Sequence, residues 1–130
     1  MTTKEPTISQ RMTKTPHLIG AEQSLRTAHE LMQKYGIRHL PVLHGGKLIG
    51  LVSQRDLHLV ESLRDVDPDA VRVEEAMTQD VYAVEPKTAL KEVVLEMAQR
   101  KLGSAVVVQG STVVGVFTTV DALECLAELL

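Results

Sequence analysis

Aromatic side chains are almost missing from this chain: one phenylalanine, two tyrosines and no tryptophan among 130 residues. Its interior must therefore be packed from aliphatic side chains and methionine. A single cysteine, Cys125, excludes an intrachain disulfide and offers no zinc spacing. Set in an apolar helical stretch, it reads as a small buried hydrophobe in a reducing compartment. No run approaches the ~18 apolar residues of a membrane span, and the N-terminus lacks the hydrophobic core of a signal peptide. A soluble, cytoplasmic protein is expected. Excess positive charge is also lacking. A formal charge of −3 argues against general nucleic-acid affinity, which depends on neutralising phosphates, although Arg11, Lys14 and Arg38 could form a small basic patch. Catalytic signatures are missing too. The histidines at 17, 29, 39, 44 and 58 contain no i, i+4 pair around a carboxylate base, as a zinc hydrolase needs. No G-x-S-x-G elbow, P-loop or dinucleotide fingerprint occurs, so no enzymatic activity and no metal are expected.

What is present is a repeat. Gly50-Leu51-Val52-Ser53-Gln54-Arg55-Asp56 reads G-x-x-S-x-x-D, and Gly115-Val116-Phe117-Thr118-Thr119-Val120-Asp121 reads G-x-x-T-x-x-D, at an offset of 65 residues. The same offset carries Met12-Thr13 onto Met77-Thr78, Leu25 onto Leu90, Met32 onto Met97 and Val42 onto Val107 without a gap. A fixed internal period decides architecture before any local signal does. Each half, near 65 residues, is marginal as a lone core, so the halves are expected to share one.

Within each half, hydrophobic spacing predicts the order strand, helix, strand, strand, helix. In the first half these are a strand at 15–19, a helix at 22–35 stopped by Gly36, a hairpin of 37–43 and 48–52 turned at His44-Gly45-Gly46-Lys47, and a helix from Ser53 to about Leu63. In the second half they are a strand at 81–84, a helix at 88–101, a hairpin of 105–108 and 113–117, and a last helix at 120–130. The expected division is a loose arm at 1–7, a unit at 8–64, an acidic linker at 65–72 and a unit at 73–130. The linker's Asp65-x-Asp67-x-Asp69 spacing resembles the start of a calcium loop, but Ala70 and Ala76 stand where that loop needs glycine and glutamate. The last helix is apolar nearly all round, as a helix buried by a second chain would be.

The element order, the doubled motif, the Met-Thr that opens each unit and the stretch Ile37-Arg38-His39-Leu40-Pro41-Val42 resemble the cystathionine-β-synthase (CBS) domain, and the tandem resembles a Bateman module. The likeness covers roughly residues 8–130. It implies an α/β (α+β) fold of two β-α-β-β-α units related by a pseudo-two-fold axis. It also implies a regulatory role: binding of an adenosine-containing ligand (AMP, ADP, ATP or S-adenosylmethionine) in clefts between units, with no cofactor required. By the same resemblance two modules associate as a homodimeric disc, Thr15, Pro16 and His17 with Asp80, Val81 and Tyr82 read the base, and Pro41 lies at the first cleft. The signal would pass to an effector protein, unknown from the sequence.

The motif residues themselves admit two uses. Ser53-x-x-Asp56 and Thr118-x-x-Asp121 fit capping boxes that satisfy orphan amides at a helix start. The same carboxylates can accept hydrogen bonds from a ribose diol, with the helix start favouring phosphate oxygens. A glycine three residues before each hydroxyl weakens its strand unless something approaches closely. The copies also differ in charge. Arg38, His39 and Arg55 in the first become Gly103, Ser104 and Val120 in the second, so a phosphorylated ligand should prefer the site of Asp56. The second site, with Ser104, Thr118 and Asp121, is expected to be weaker or to take a ligand without phosphate at that point. If the motifs only cap helices, the chain is instead a ligand-free dimerisation scaffold.

Overall fold

The computed structural model describes residues 5–14, 17–63 and 66–130. Its elements are β1 (Thr13–Lys14), β2 (Ile19–Gly20), α1 (Leu25–Tyr35), β3 (His39–His44), β4 (Lys47–Ser53), α2 (Gln54–Glu61), β5 (Ala83–Val84), α3 (Leu90–Arg100), β6 (Ser104–Gln109), β7 (Thr112–Thr118) and α4 (Thr119–Leu129), with 3-10 turns at Ile8–Gln10 and Val73–Glu75. The mixed α/β architecture is the one the resemblance implies.

The chain forms two compact units, one of residues 17–81 and one of residues 1–16 with 82–130. In the first, β2 runs parallel to β3, and β3 pairs antiparallel with β4. In the second the sheet order is β1-β7-β6-β5, with β5 parallel to β6 and the other pairs antiparallel. Each long hairpin carries a register shift at the same repeat position, between Val42 and Leu43 and between Val107 and Val108. The hairpin turns are made by glycines with positive φ, Gly45 and Gly46 in one and Gly110 in the other.

Helix ends follow the sequence chemistry. Ser24 caps α1 by accepting from the Thr27 amide at 3.1 Å, and Gly36 closes it with φ of 63°. The equivalent closing residue of α3 is Lys101, held at φ of 56°, the one non-glycine residue with positive φ among those described. His29 on α1 meets Glu61 on α2 at 2.5–2.6 Å, which ties the two helices together.

The aliphatic core is divided. Leu25, Ala28, Met32, Leu40, Val42, Val52, Leu57 and Val73 are among the buried residues of one cluster, and Ile8, Val84, Val93, Met97, Ala105, Val107 and Phe117 form the other. Cys125 is partly buried against the second cluster.

Each unit is completed by the leading segment of the opposite repeat. Ile8 is fully buried beside the second repeat, and Val73 is fully buried beside the first. The backbone bonds match position for position. Ile8 N–H donates to Thr88 O and Val73 N–H to Gln23 O, while Leu90 N–H donates to Pro6 O and Leu25 N–H to Val71 O. Pro6 and Val71 thus accept from the amides that α3 and α1 leave without an internal partner.

The exchange also explains the motif glycines. Thr13 pairs with Val116 in β7, and Thr78 bridges to Leu51 in β4. A Cβ on Gly50 would stand 2.5 Å from Met77 Sδ and 2.9 Å from Thr78 O, and a Cβ on Gly115 would overlap Met12. The close approach that the strand glycines permit is made by the Met-Thr segments.

Candidate functional site

In the unit of residues 17–81 the site forms where β3, β4 and α2 meet. His39 stands directly across from Ser53 in the β3–β4 register. Ser53 caps α2: its Oγ accepts from the Asp56 amide at 3.0 Å, and Asp56 Oδ2 accepts from the Ser53 amide at 2.9 Å. The Gln54 amide donates to Arg38 O at 2.9 Å. The helix start is therefore satisfied apart from the Arg55 amide, which has no acceptor among the described residues. The capping box uses one carboxylate oxygen of Asp56, and Oδ1 has no partner among the described residues. Arg38 and Arg55 are exposed, and neither forms an ion pair among the described residues. Burial lowers the pKa of His39 from its ordinary 6.5, the Asp56 carboxylate pulls it back, and Arg38 adds to the lowering. The imidazole is thus held mainly neutral within electrostatic reach of Asp56.

The fold brings Arg38, His39, Ser53, Arg55 and Asp56 together. Pro41, two residues along β3 from His39, is buried. His17 stacks on Tyr35 at the end of α1, with centroids 3.5 Å apart and planes 13° from parallel. Thr15 and Pro16 lie outside the described residues.

The second motif repeats this geometry without the cations. Ser104 stands across from Thr118. Asp121 Oδ2 accepts from the Thr118 amide at 2.8 Å, the Asp121 amide donates to Thr118 Oγ1 at 3.3 Å, and Thr119 N–H donates to Gly103 O at 3.0 Å. Thr13 adds a hydroxyl 3.4 Å from each oxygen of Asp121, so this carboxylate is more engaged than Asp56. Ser104 is 5% exposed, and its Oγ has no hydrogen-bond partner among the described residues. Of the expected base-reading residues, Asp80 and Val81 belong to the unit of residues 17–81, and Tyr82 to the other. Arg100 lies over the Tyr82 ring at 5.4 Å. Burial raises the Tyr82 pKa, with Glu96 and Glu92 adding to it and Arg100 opposing.

Thr13 was not foreseen as a neighbour of Asp121. Its signal was the repeated Met-Thr, which marks the start of a repeat but does not say which hairpin the segment joins.

The sequence model of the CBS domain matches residues 7–60 and 73–128. The chain belongs to the CBS domain family. It is 33% identical over 104 residues to inosine-5'-monophosphate dehydrogenase of Korarchaeum cryptofilum, covering 79% of this chain and 21% of that protein. It spans about a fifth of the length of the first curated relatives it matches. Among solved structures, an acetoin utilization protein (AcuB) from Vibrio cholerae is 31% identical, with a TM-score of 0.86 over 97% of this chain and 93% of that one. A CBS domain pair crystallised with 5'-methylthioadenosine and S-adenosyl-L-methionine shares the fold, with a TM-score of 0.89 at 22% identity over 98% of this chain and all of that one. Two tandem CBS domains account for nearly the whole of the described chain.

Proposed function

We propose that the protein is a regulatory module that binds an adenosine-containing ligand, AMP, ADP or ATP before S-adenosylmethionine, and conveys its ligand state to a partner protein. The observation that carries this is the Asp56 junction. There a carboxylate keeps one oxygen outside the capping box beside a helix-start amide and two arginines that form no ion pair among the described residues. The free oxygen suits a ribose hydroxyl as a charged acceptor. The Arg55 amide and the guanidinium forks of Arg38 and Arg55 suit phosphate oxygens. Only the first repeat has this set, so one nucleotide per chain binds there. The adenosyl ligands of the related CBS domain pair are consistent with the ligand class. Binding shifts the module by its differential affinity for one arrangement.

One observation favours a second reading, a scaffold without ligand: both aspartates already cap their own helices. Isothermal titration with AMP, ADP and ATP separates the two. The sensor reading expects binding below the millimolar range that Arg38→Ala and Arg55→Ala weaken together. Absence of binding by all three nucleotides, with S-adenosylmethionine also silent, leaves the scaffold.

A further inference from the structure

Met12 and Met77 hold the same place in the two repeats, and each lays its thioether against a motif glycine. A Cβ on Gly115 would overlap Met12, and one on Gly50 would stand 2.5 Å from Met77 Sδ and 3.0 Å from its Cγ. Each sulfur thus fills the volume that a side chain at the glycine would take. Both contacts lie inside one unit, Met12 with Gly115 in that of residues 1–16 and 82–130, Met77 with Gly50 in that of residues 17–81. The other repeated pair differs in access. Met32 and Met97 are buried, each 4% exposed, whereas Met12 and Met77 are partly exposed while packing on the edge of their cores. An oxidant in solution therefore reaches Met12 and Met77 first. Each also precedes a threonine that fastens its segment. Thr13 pairs with Val116 and holds its hydroxyl 3.4 Å from both oxygens of Asp121. Thr78 exchanges two backbone hydrogen bonds with Leu51, at 2.8 and 2.9 Å.

We propose that Met12 and Met77 are sites of reversible oxidation by a peroxide, and that their sulfoxides release the leading segments from β7 and β4. Sulfur takes one oxygen from hydrogen peroxide: the O–O bond breaks, an S–O bond forms, and the second oxygen leaves as water with both protons. The sulfur loses two electrons and the peroxide gains them. The product is polar and larger, at a place where the thioether is apolar and already fills the room beside the glycine backbone. Release of Met12 withdraws the Thr13 hydroxyl from Asp121, so oxidation alters the surroundings of a motif carboxylate without touching it. Methionine sulfoxide reductase returns the sulfide. No ligand takes part, so the proposal stands apart from the nucleotide reading.

The test exposes the full chain to hydrogen peroxide and follows peptide masses and amide hydrogen exchange together. Met12 and Met77 should gain one oxygen about tenfold faster than Met32 and Met97, as their access implies. The oxidised chain should lose exchange protection in β1 and β7 and at the Leu51–Thr78 bridge, and the reductase should restore it. Met12→Leu keeps an apolar side chain of similar size and should hold β7 protected under peroxide; Met77→Leu should do the same for β4. Because Met12→Leu retains Cys125, a loss in β7 that persists in this variant assigns the effect to the cysteine and overturns the proposal for that unit. Equal oxidation rates at Met12, Met77, Met32 and Met97, or full protection of β4 and β7 in the oxidised chain, would overturn it altogether.

Discussion

At the scale of single residues, the repeat shows which positions are constrained by backbone and which by chemistry. Gly36 and Lys101 occupy the same helix-closing position with nearly the same positive φ, 63° and 56°. A lysine there bears the Cβ crowding of the left-handed region, and glycine does not. Lys101→Gly should therefore raise stability by up to ~1 kcal/mol, partly offset by the freer unfolded chain; urea denaturation measures it, and a clear loss would contradict the conformational argument. His39 gives a pH signature. Burial holds its folded-state pKa below the ordinary 6.5, so the unfolded chain takes up the proton first as pH falls. The stability associated with neutral His39 is full above about pH 6.5 and is lost as pH drops from there towards the lowered folded value. Denaturation midpoints measured between pH 5 and 8 should fall on acidification in wild type and fall less in His39→Gln.

At the scale of elements, the helices and hairpins were legible because period, caps and turn glycines all agree. The helix expected at 22–35 is Leu25–Tyr35, and that at 120–130 is Thr119–Leu129. Both capping boxes could be read from S/T-x-x-D alone. Among the described residues the first strands are shorter than expected: Ile19–Gly20 and Ala83–Val84 pair as strands, each with a single ladder partner, while positions 15 and 16 of the expected first strand lie outside the described residues. The crossed leading segments were not legible. A period locates equivalent residues, but whether Met12-Thr13 joins its own hairpin or the other is settled only by packing. The same limit applied to Gly50 and Gly115, where the pattern announced a close approach without naming the methionines that make it. The crossing makes a stability prediction. Ile8→Ala removes a fully buried side chain from the core that contains Phe117 and Val93, and should cost ~2–5 kcal/mol. Protection from hydrogen exchange should drop in β6 and β7 more than in β3 and β4. The reverse distribution would place Ile8 against the wrong repeat.

At the scale of the whole molecule, the exposed aliphatic surface is concentrated on α4 and its end. Ala122 and Cys125 face the core, while Val120, Leu123, Leu126, Leu129 and Leu130 are between 49 and 96% exposed. No residue of α4 is fully buried within the single chain, and the sequence expectation is that a second chain buries this helix. A stripe of this kind marks an interaction surface, and a second copy of the chain is the partner proposed for it. Leu126→Glu should convert a dimer to monomer in sedimentation or light scattering while leaving the thermal transition of each unit in place; an unchanged dimer would exclude this face. Among the described residues no helix is long and apolar enough to cross a membrane, so the stripe is not a spanning segment.

The central claim is that the carboxylate of Asp56 both caps α2 and receives a ribose. Asp56→Asn separates the two roles, because the amide oxygen can still accept from the Ser53 amide while the negative charge is gone. Titration calorimetry of AMP against wild type and Asp56→Asn, with both melting temperatures recorded, is the direct measurement. The account predicts a melting temperature within a few degrees of wild type and AMP affinity reduced at least tenfold, as loss of a charged acceptor implies. Equal AMP affinity in the two proteins would contradict it and leave Asp56 as a helix cap alone.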